Sequence, residues 1–231
     1  MNVLITAGGT TERIDSVRSI SNISTGKLGS LIADCFSADN AVEKIFYICS
    51  KTAIKPESNK VEFLCIDSVS DLEAAVREVL SNTSIDIIIH SMAVSDYKVK
   101  SVTTLASLLE KSKSAVSREG KINSDVDDMV LLMERTPKII SLFQTLSQSA
   151  TLVGFKLLDN AALTTLIDKG YELLIKNKCS FVLANDLKDI TDEKHTGYLI
   201  DKEKNFTKYI NKPDIAAAIV TAALNERKFA I

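Results

Sequence analysis

Short runs rich in β-branched and aromatic residues alternate with stretches of helical periodicity along the chain, and this alternation restricts the fold more than any other feature. The runs are "NVLITAG" (2–8), "KIFYICS" (44–50), "VEFLCID" (61–67), "IDIIIH" (85–90), "TLVGFKL" (151–157) and "SFVLAND" (180–186). Each is mostly apolar, as strands buried on both faces are. Between them, "GKLGSLIADCFS", "SVSDLEAAVREVLSN" and "DNAALTTLIDKGYELLIKN" carry apolar residues at helical spacing. In the second, Leu72, Val76 and Leu80 form an i, i+4, i+8 stripe, with Ser70 or Asp71 suited to cap its start. The order β-α-β-β-α-β, continuing to α-β-α, predicts an open, mostly parallel α/β sheet with flanking helices. Such sheets bind ligands beyond the carboxyl ends of their strands, so the residues that follow each strand are the functional candidates.

Two segments interrupt the pattern. Residues 110–128, "EKSKSAVSREGKINSDVDD", are polar and aperiodic and read as an exposed flap. Residues 197–210, "GYLIDKEKNFTKYI", alternate about a charged turn and read as a hairpin. With no linker rich in Pro, Gly or Ser and no repeat, the 231 residues are expected to form one domain, 1–231. A net charge of −2 gives no global basic field for nucleic acid or an anionic membrane, so anion binding falls to local Lys and Arg. The four cysteines (Cys35, Cys49, Cys65, Cys179) never fall as C-x-x-C and are expected as small hydrophobes in a reducing compartment. Neither a signal peptide nor an apolar run of membrane-spanning length is seen, and a cytoplasmic location is expected.

The first turn, "AGGTTERID", lacks the third glycine of G-x-G-x-x-G, and the second strand ends "CSK" without the acid that binds a ribose. What remains is either a backbone phosphate cradle at Gly8, Gly9 and Thr10 or a tight strand exit with no ligand. "STGKLG" (24–29) lacks the first glycine of a Walker A motif and has Leu28 at the magnesium-binding position; it reads as a helix start capped by Ser24 or Thr25. Between these lies "RIDSVRSISN", in which Arg13, Asp15, Arg18 and Asn22 form either an oxyanion-binding cluster or surface ion pairs such as Asp15 with Arg18. Asp96 follows the fourth strand and suits a magnesium ion, a ribose hydroxyl or a lysine. Lys121 lies in the flap, Phe155 near a strand end, and Lys176 and Lys178 near a helix end. With only His90 and His195, the chain offers little for a zinc site or a Ser-His-Asp triad, which directs attention to charge stabilisation and positioning.

Taken together, "ITAGGTTERIDSVRSISNISTGKLG", "AVSDYKV", "KIN", "RTPKII", "VGFKLLDN" and "VLANDL", in that order, resemble phosphopantothenoylcysteine synthetase (phosphopantothenate–cysteine ligase). The resemblance implies a Rossmann-like homodimer whose flap reaches the partner subunit, and a stand-alone bacterial ligase of coenzyme A synthesis. It implies that 4′-phosphopantothenate is activated by a nucleoside triphosphate with Mg2+, CTP ahead of ATP, through an acyl-nucleotidyl anhydride that L-cysteine then opens. By position it assigns Asn22, Arg18 and Lys121 to catalysis. Nucleotide contacts go to Gly8, Gly9, Thr10, Ala93, Asp96, Phe155, Lys176 and the turn Thr136, Pro137, Lys138 and Ile139, with Asp96 also at the metal. "KIN" lacks the family's following lysines, Lys176 or Lys178 stands for one member of its lysine pair with Leu173 near the other, and "GFKLLDN" is closer to ATP-using relatives. The rival readings are an NADP-dependent short-chain-type reductase, with Lys51 at a 2′-phosphate, and a non-catalytic nucleotide-binding module.

Overall fold

The computed structural model describes residues 1–110, 116, 118, 120–126, 128–191 and 194–229. The main-sheet strands are β1 (Asn2–Ala7), β4 (Lys44–Ser50), β5 (Val61–Ile66), β6 (Ile87–His90), β9 (Thr151–Leu158), β10 (Phe181–Ile190), β11 (His195–Ile200) and β12 (Phe206–Tyr209). They lie in the order β12-β11-β10-β9-β6-β1-β4-β5. The six from β10 to β5 run parallel, and β11 and β12 add an antiparallel hairpin, pairing Gly197 with Tyr209. This is the α/β, Rossmann-like architecture the alternation implies, with the strand order reversing between β1 and β6.

The apolar strands are explained by burial on both faces. Ile87, Ile88 and Ile89 are all fully buried although they alternate sides. One face carries α1 (Lys27–Ser37) and α6 (Lys212–Phe229), where Ile32, Phe36, Ile215 and Ile219 meet Val3, Ile5 and Ile87. The other carries α2 (Val69–Asn82), α4 (Ile139–Leu146) and α5 (Leu163–Lys176), where Leu72, Phe143 and Leu166 belong to the core of Leu4, Ile88 and Leu152. Each such side chain contributes about 1.5–3 kcal/mol relative to exposure. Among the described residues no helix is long and apolar enough to cross a membrane.

Several local expectations are corrected. The cap of α2 is Ser68, not Ser70 or Asp71: its side chain accepts from the Asp71 N–H while the Asp71 carboxylate answers to the Ser68 N–H, a reciprocal capping box. Helix α1 is capped by Gly26 in a left-handed conformation with no side-chain cap, not by Ser24 or Thr25. Cys49 and Cys179 are buried, whereas Cys65 is exposed on the edge strand β5.

Two small antiparallel pairs stand outside the main sheet. β2 (Thr11–Arg13) pairs with β3 (Ser19–Ser21) inside the polar insertion, and β7 (Tyr97–Thr104) pairs with β8 (Met129–Arg135) as an arm carrying α3 (Leu105–Leu109). The described part of the flap joins α3 to β8, and residues 111–115, 117, 119 and 127 of that expectation lie outside the described residues. Ile122 and Val116 fold back on Val99 and Val102 to make a core separate from the two main ones.

Candidate active site

The site is built where the strand order reverses. Gly8 leaves β1 with φ +87, a conformation that disfavours any side chain, and a Cβ there would lie 2.3 Å from Ser50 Oγ. Gly9 forms a bridge to Ala93 beyond β6, and its missing Cβ leaves room for the Asn22 carbonyl, which would stand 2.1 Å from it. Thr10 donates its N–H to Ala93 O (3.1 Å), Ala93 returns its own to Gly8 O (2.9 Å), and Asn22 N–H donates to Thr10 O (3.1 Å). The Thr10 hydroxyl donates to Ser95 Oγ (3.0 Å) and accepts from the Ser95 N–H (2.9 Å). The amide of Thr10 is therefore committed within the fold. The start of α1, where Gly26 provides no side-chain cap, presents a positive dipole end that can attract an anion at this corner.

The polar insertion is a braced hairpin. Glu12 is buried and accepts the Val69 N–H that opens α2 (2.8 Å). Asp15, whose side chain is fully enclosed, accepts N–H bonds from Val17 (2.8 Å), Arg18 (2.7 Å) and Ile122 (3.1 Å), and pairs with the Arg18 guanidinium at 3.2 Å. The Val17 N–H above all holds this carboxyl below its usual range, against the opposing pull of burial; the Ile122 and Arg18 bonds add to it. Arg18 also reaches Ile122 O (3.3 Å), and Arg118 donates to Ile14 O (2.8 Å), Arg13 O (2.6 Å) and Val99 O (3.0 Å). The Asp15–Arg18 pair thus ties the insertion to the flap at Ile122, next to the exposed Lys121. Asn22 differs from both arginines: its side-chain amide has no hydrogen-bond partner among the described residues.

A cavity of about 290 Å³ opens between β6, α4 and α5. Its walls are Met92, Val94, Ile139, Ile140, Phe155 and Leu173; its polar members are His90, Ser95, Ser141 and Asn177; its charges are Asp96, Lys138 and Lys176. Lys138 Nζ donates to Asp96 Oδ1 at 2.5 Å, with both side chains mostly exposed. Thr136 fixes this rim by donating its hydroxyl to Ser95 O (2.5 Å) and its N–H to Asp96 O (3.0 Å). Two hydrogen bonds, from Asn22 to Thr10 and from Thr10 to Ser95, connect the insertion to the cavity wall.

Of the residues expected from sequence, Asp96, Pro137, Lys138, Ile139, Phe155 and Lys176 line this cavity, while Gly8, Gly9, Thr10, Ala93 and Asn22 form the adjoining turn. Thr136 supports the rim from behind. Lys176, and not Lys178, faces the cavity; Lys178 borders a separate depression beside Phe143. Phe155 reaches the cavity from β9 but packs against the α1–α6 side, and Gly154 is the residue that faces Leu173 and Ile140. His90, Ser95 and Asn177 were not singled out as ligand contacts. His90 is buried, its Nδ1 lies 2.8 Å from Thr6 Oγ1, and its ring meets Phe143 edge-on; burial pushes its pKa down to about 4, so the imidazole is neutral at physiological pH.

Among the described residues no cluster of three His, Cys, Asp or Glu side chains gathers to hold a metal. Asp96 is a single exposed carboxylate at the rim. That suits Mg2+, which commonly takes one or two carboxylates and completes its shell with water and substrate phosphates.

Residues 1–226 match the DNA/pantothenate metabolism flavoprotein C-terminal domain. The chain belongs to that family. The solved DNA/pantothenate metabolism flavoprotein from Streptococcus pneumoniae is similar over 98% of this chain and 99% of its own, at 33% identity and a TM-score of 0.87. The coenzyme A biosynthesis bifunctional protein CoaBC of Methanocaldococcus jannaschii is 31% identical over 187 residues, covering 80% of this chain and 40% of that relative. This DNA/pantothenate metabolism flavoprotein C-terminal domain chain therefore spans about two fifths of that curated relative's length. A Cab2 variant solved in complex with phosphopantothenate-cysteine shares the fold, with a TM-score of 0.74 at 17% identity, over 99% of this chain and 87% of its own. The family resemblance read from the sequence is borne out.

Proposed function

We propose that this chain is a phosphopantothenate–cysteine ligase domain that joins 4′-phosphopantothenate to L-cysteine with cleavage of a nucleoside triphosphate, in coenzyme A biosynthesis. One observation carries the reading: Asn22, whose carboxamide has no partner among the described residues, is tied through its backbone N–H by two hydrogen bonds to a cavity edged by Asp96, Lys138 and Lys176. Membership of the family supports it, as do relatives that include a bifunctional coenzyme A biosynthesis protein.

In this reading a carboxylate oxygen of 4′-phosphopantothenate attacks the α-phosphorus of the nucleotide, and the bond to pyrophosphate breaks. The cysteine amine then attacks the acyl carbon, loses a proton, and expels the nucleoside monophosphate. The first step brings anions together, and the second develops an oxyanion at the acyl carbon and releases an anionic phosphate, so the protein's part is to place cations and dipoles. The start of α1 faces the phosphate end of the pantothenate, Asn22 donates to the oxygens of the new anhydride, and Arg18 holds Asn22's hairpin against the flap. Lys121 approaches the triphosphate from the flap while Lys138 and Lys176 flank the nucleotide in the cavity. Asp96 would hold a Mg2+ ion, which would supply charge neutralisation on the phosphates. CTP is favoured over ATP, and the enzyme works as a homodimer.

The test is pyrophosphate release from purified protein given 4′-phosphopantothenate, magnesium and either CTP or ATP, with and without cysteine. Faster release with CTP supports the whole reading. A preference for ATP keeps the ligase and removes the nucleotide assignment, and no release with either nucleotide removes the ligase.

A further inference from the structure

The cavity floor holds a polar group that the reaction above leaves unused. His90 ends β6, beneath apolar walls from Met92, Val94 and Ile140. Its Nδ1 is engaged by Thr6 of the neighbouring strand β1 at 2.8 Å. Nε2 has no partner among the described residues. Among those residues the sealed side-chain atoms without a partner are Ser50 Oγ, His195 Nδ1, Thr196 Oγ1 and Arg227 Nε; His90 Nε2 is not one of them, so it retains access to the cavity it lines.

The direction of the Thr6 bond follows from the same accounting. Thr6 is fully buried, and His90 is the one partner its hydroxyl has among the described residues. If the imidazole donated to Thr6, the hydroxyl proton would be left without an acceptor, the costlier omission in a dry site. Thr6 therefore donates to Nδ1, and the neutral ring carries its proton on Nε2, directed at the cavity as a donor.

Resting on the ligase reading, which puts the nucleotide here, we infer that His90 Nε2–H reads the nucleobase and selects bases that bear an exocyclic amino group. The volume of about 290 Å³ suits a base with its ribose and phosphates at the charged rim, and falls at the small end of ligand sites, which start at about 300 Å³. Cytosine and adenine both present an unprotonated ring nitrogen beside the amino group, an acceptor for Nε2–H. Uracil and hypoxanthine carry a proton on that nitrogen, so the same contact becomes donor against donor, a repulsive element of the kind that sets specificity. Sequence offers no pointer to this role, because a histidine closing an apolar strand reads equally well as a satisfied core residue.

The experiment is calorimetric binding of CTP, UTP, ATP and ITP, each with magnesium, to the intact protein. The tighter-binding pair, CTP and UTP or ATP and ITP, is expected to favour its amino member by about tenfold, the worth of one well-made hydrogen bond. His90→Asn keeps a polar atom near Thr6 and removes the far nitrogen. It is expected to weaken the preferred nucleotide about tenfold and to bring the pair within about threefold of each other. If that variant does not fold, His90→Gln, whose amide nitrogen reaches toward the cavity, is expected to keep most of the discrimination, and equal binding of the pair by it counts against the inference. Wild-type protein that binds the pair equally or binds no nucleotide overturns it, as does a folded His90→Asn protein with the wild-type ratio. Discriminated binding lost in His90→Asn, without any pyrophosphate release by the wild type, leaves this inference standing and removes the ligase. Pyrophosphate release with an unaltered preference in His90→Asn does the reverse.

Discussion

Replacing Gly9 by alanine perturbs the site at one calculable point. Gly9, unlike Gly8, does not have a positive φ, so the backbone tolerates a side chain and the effect is steric alone. The new methyl would stand 2.1 Å from the Asn22 carbonyl oxygen. A comfortable carbon–oxygen approach is about 3.3 Å, so one of the two segments must retreat by roughly 1.2 Å. That displacement is enough to break the 3.1 Å bond from Asn22 N–H to Thr10 O, and it carries the Asn22 carboxamide with it. A misplacement of about 1 Å in a positioned group costs about a hundredfold in rate. Overpacking of this kind costs about 1–3 kcal/mol, which for a chain of this size lowers the thermal midpoint by about 2–6 °C. Steady-state pyrophosphate release and scanning fluorimetry on Gly9→Ala measure both. A variant with wild-type turnover would refute the claim that the Gly9–Asn22 contact sets the site, and unchanged melting would refute the strain.

Asn22→Ala is expected to lower turnover on the order of a hundredfold or more, the scale of losing one oxyanion donor, while the melting curve stays near wild type; normal turnover would remove Asn22 from the chemistry. Lys121→Ala is expected to raise the KM for the nucleotide more than that for 4′-phosphopantothenate, and steady-state kinetics showing the opposite order would reassign the flap lysine. Ser68→Ala, at the start of α2, is expected to destabilise the fold by about 1 kcal/mol in denaturant unfolding while the reaction rate holds, because among the described residues the Ser68 hydroxyl bonds only to Asp71 within the cap and the Val69 tie to Glu12 is made by a backbone N–H that the substitution leaves in place. For Asp15 the sign is fixed by a lowered carboxyl: its ties to Val17, Arg18 and Ile122 are complete above the ordinary value of 3.8 and are lost only as pH falls below it. The amide resonances of Val17 and Ile122 should move together in that acid range, and movement near neutral pH would contradict the assignment.

The main sheet was legible because its inner strands are buried on both faces and its helices on one, so periodicity reported the layers directly; the edge strand β5 was legible from its β-branched and aromatic residues although only Ile66 of it is buried. The smaller pairs were not. β2 and β3 have three residues each, too few to show a period, and β7 and β8 expose many of their side chains, so no apolar alternation marks them. Gly8 and Gly9 were readable as a special turn, but Gly9's reason for being glycine, the Asn22 carbonyl, requires two segments brought together in space. Asp15 and Arg18 could be read as a surface ion pair or as ligand contacts. They do form an ion pair, but with the carboxylate enclosed and bound to Ile122, more than a hundred residues away. His90 acquires its setting from Thr6, Phe143 and the α4–α5 cavity, none of which its neighbours in sequence announce.

The central claim is activation of the pantothenate carboxylate by nucleotidyl transfer before cysteine enters, and a single-turnover measurement without cysteine tests it most directly. Protein mixed with 4′-phosphopantothenate, magnesium and radiolabelled CTP or ATP should release pyrophosphate in a burst approaching one equivalent per active site. An acyl-nucleotide of the corresponding mass should be recoverable after quenching and should disappear on adding cysteine. Release of inorganic phosphate and nucleoside diphosphate instead, or no pyrophosphate until cysteine is added, would contradict the account.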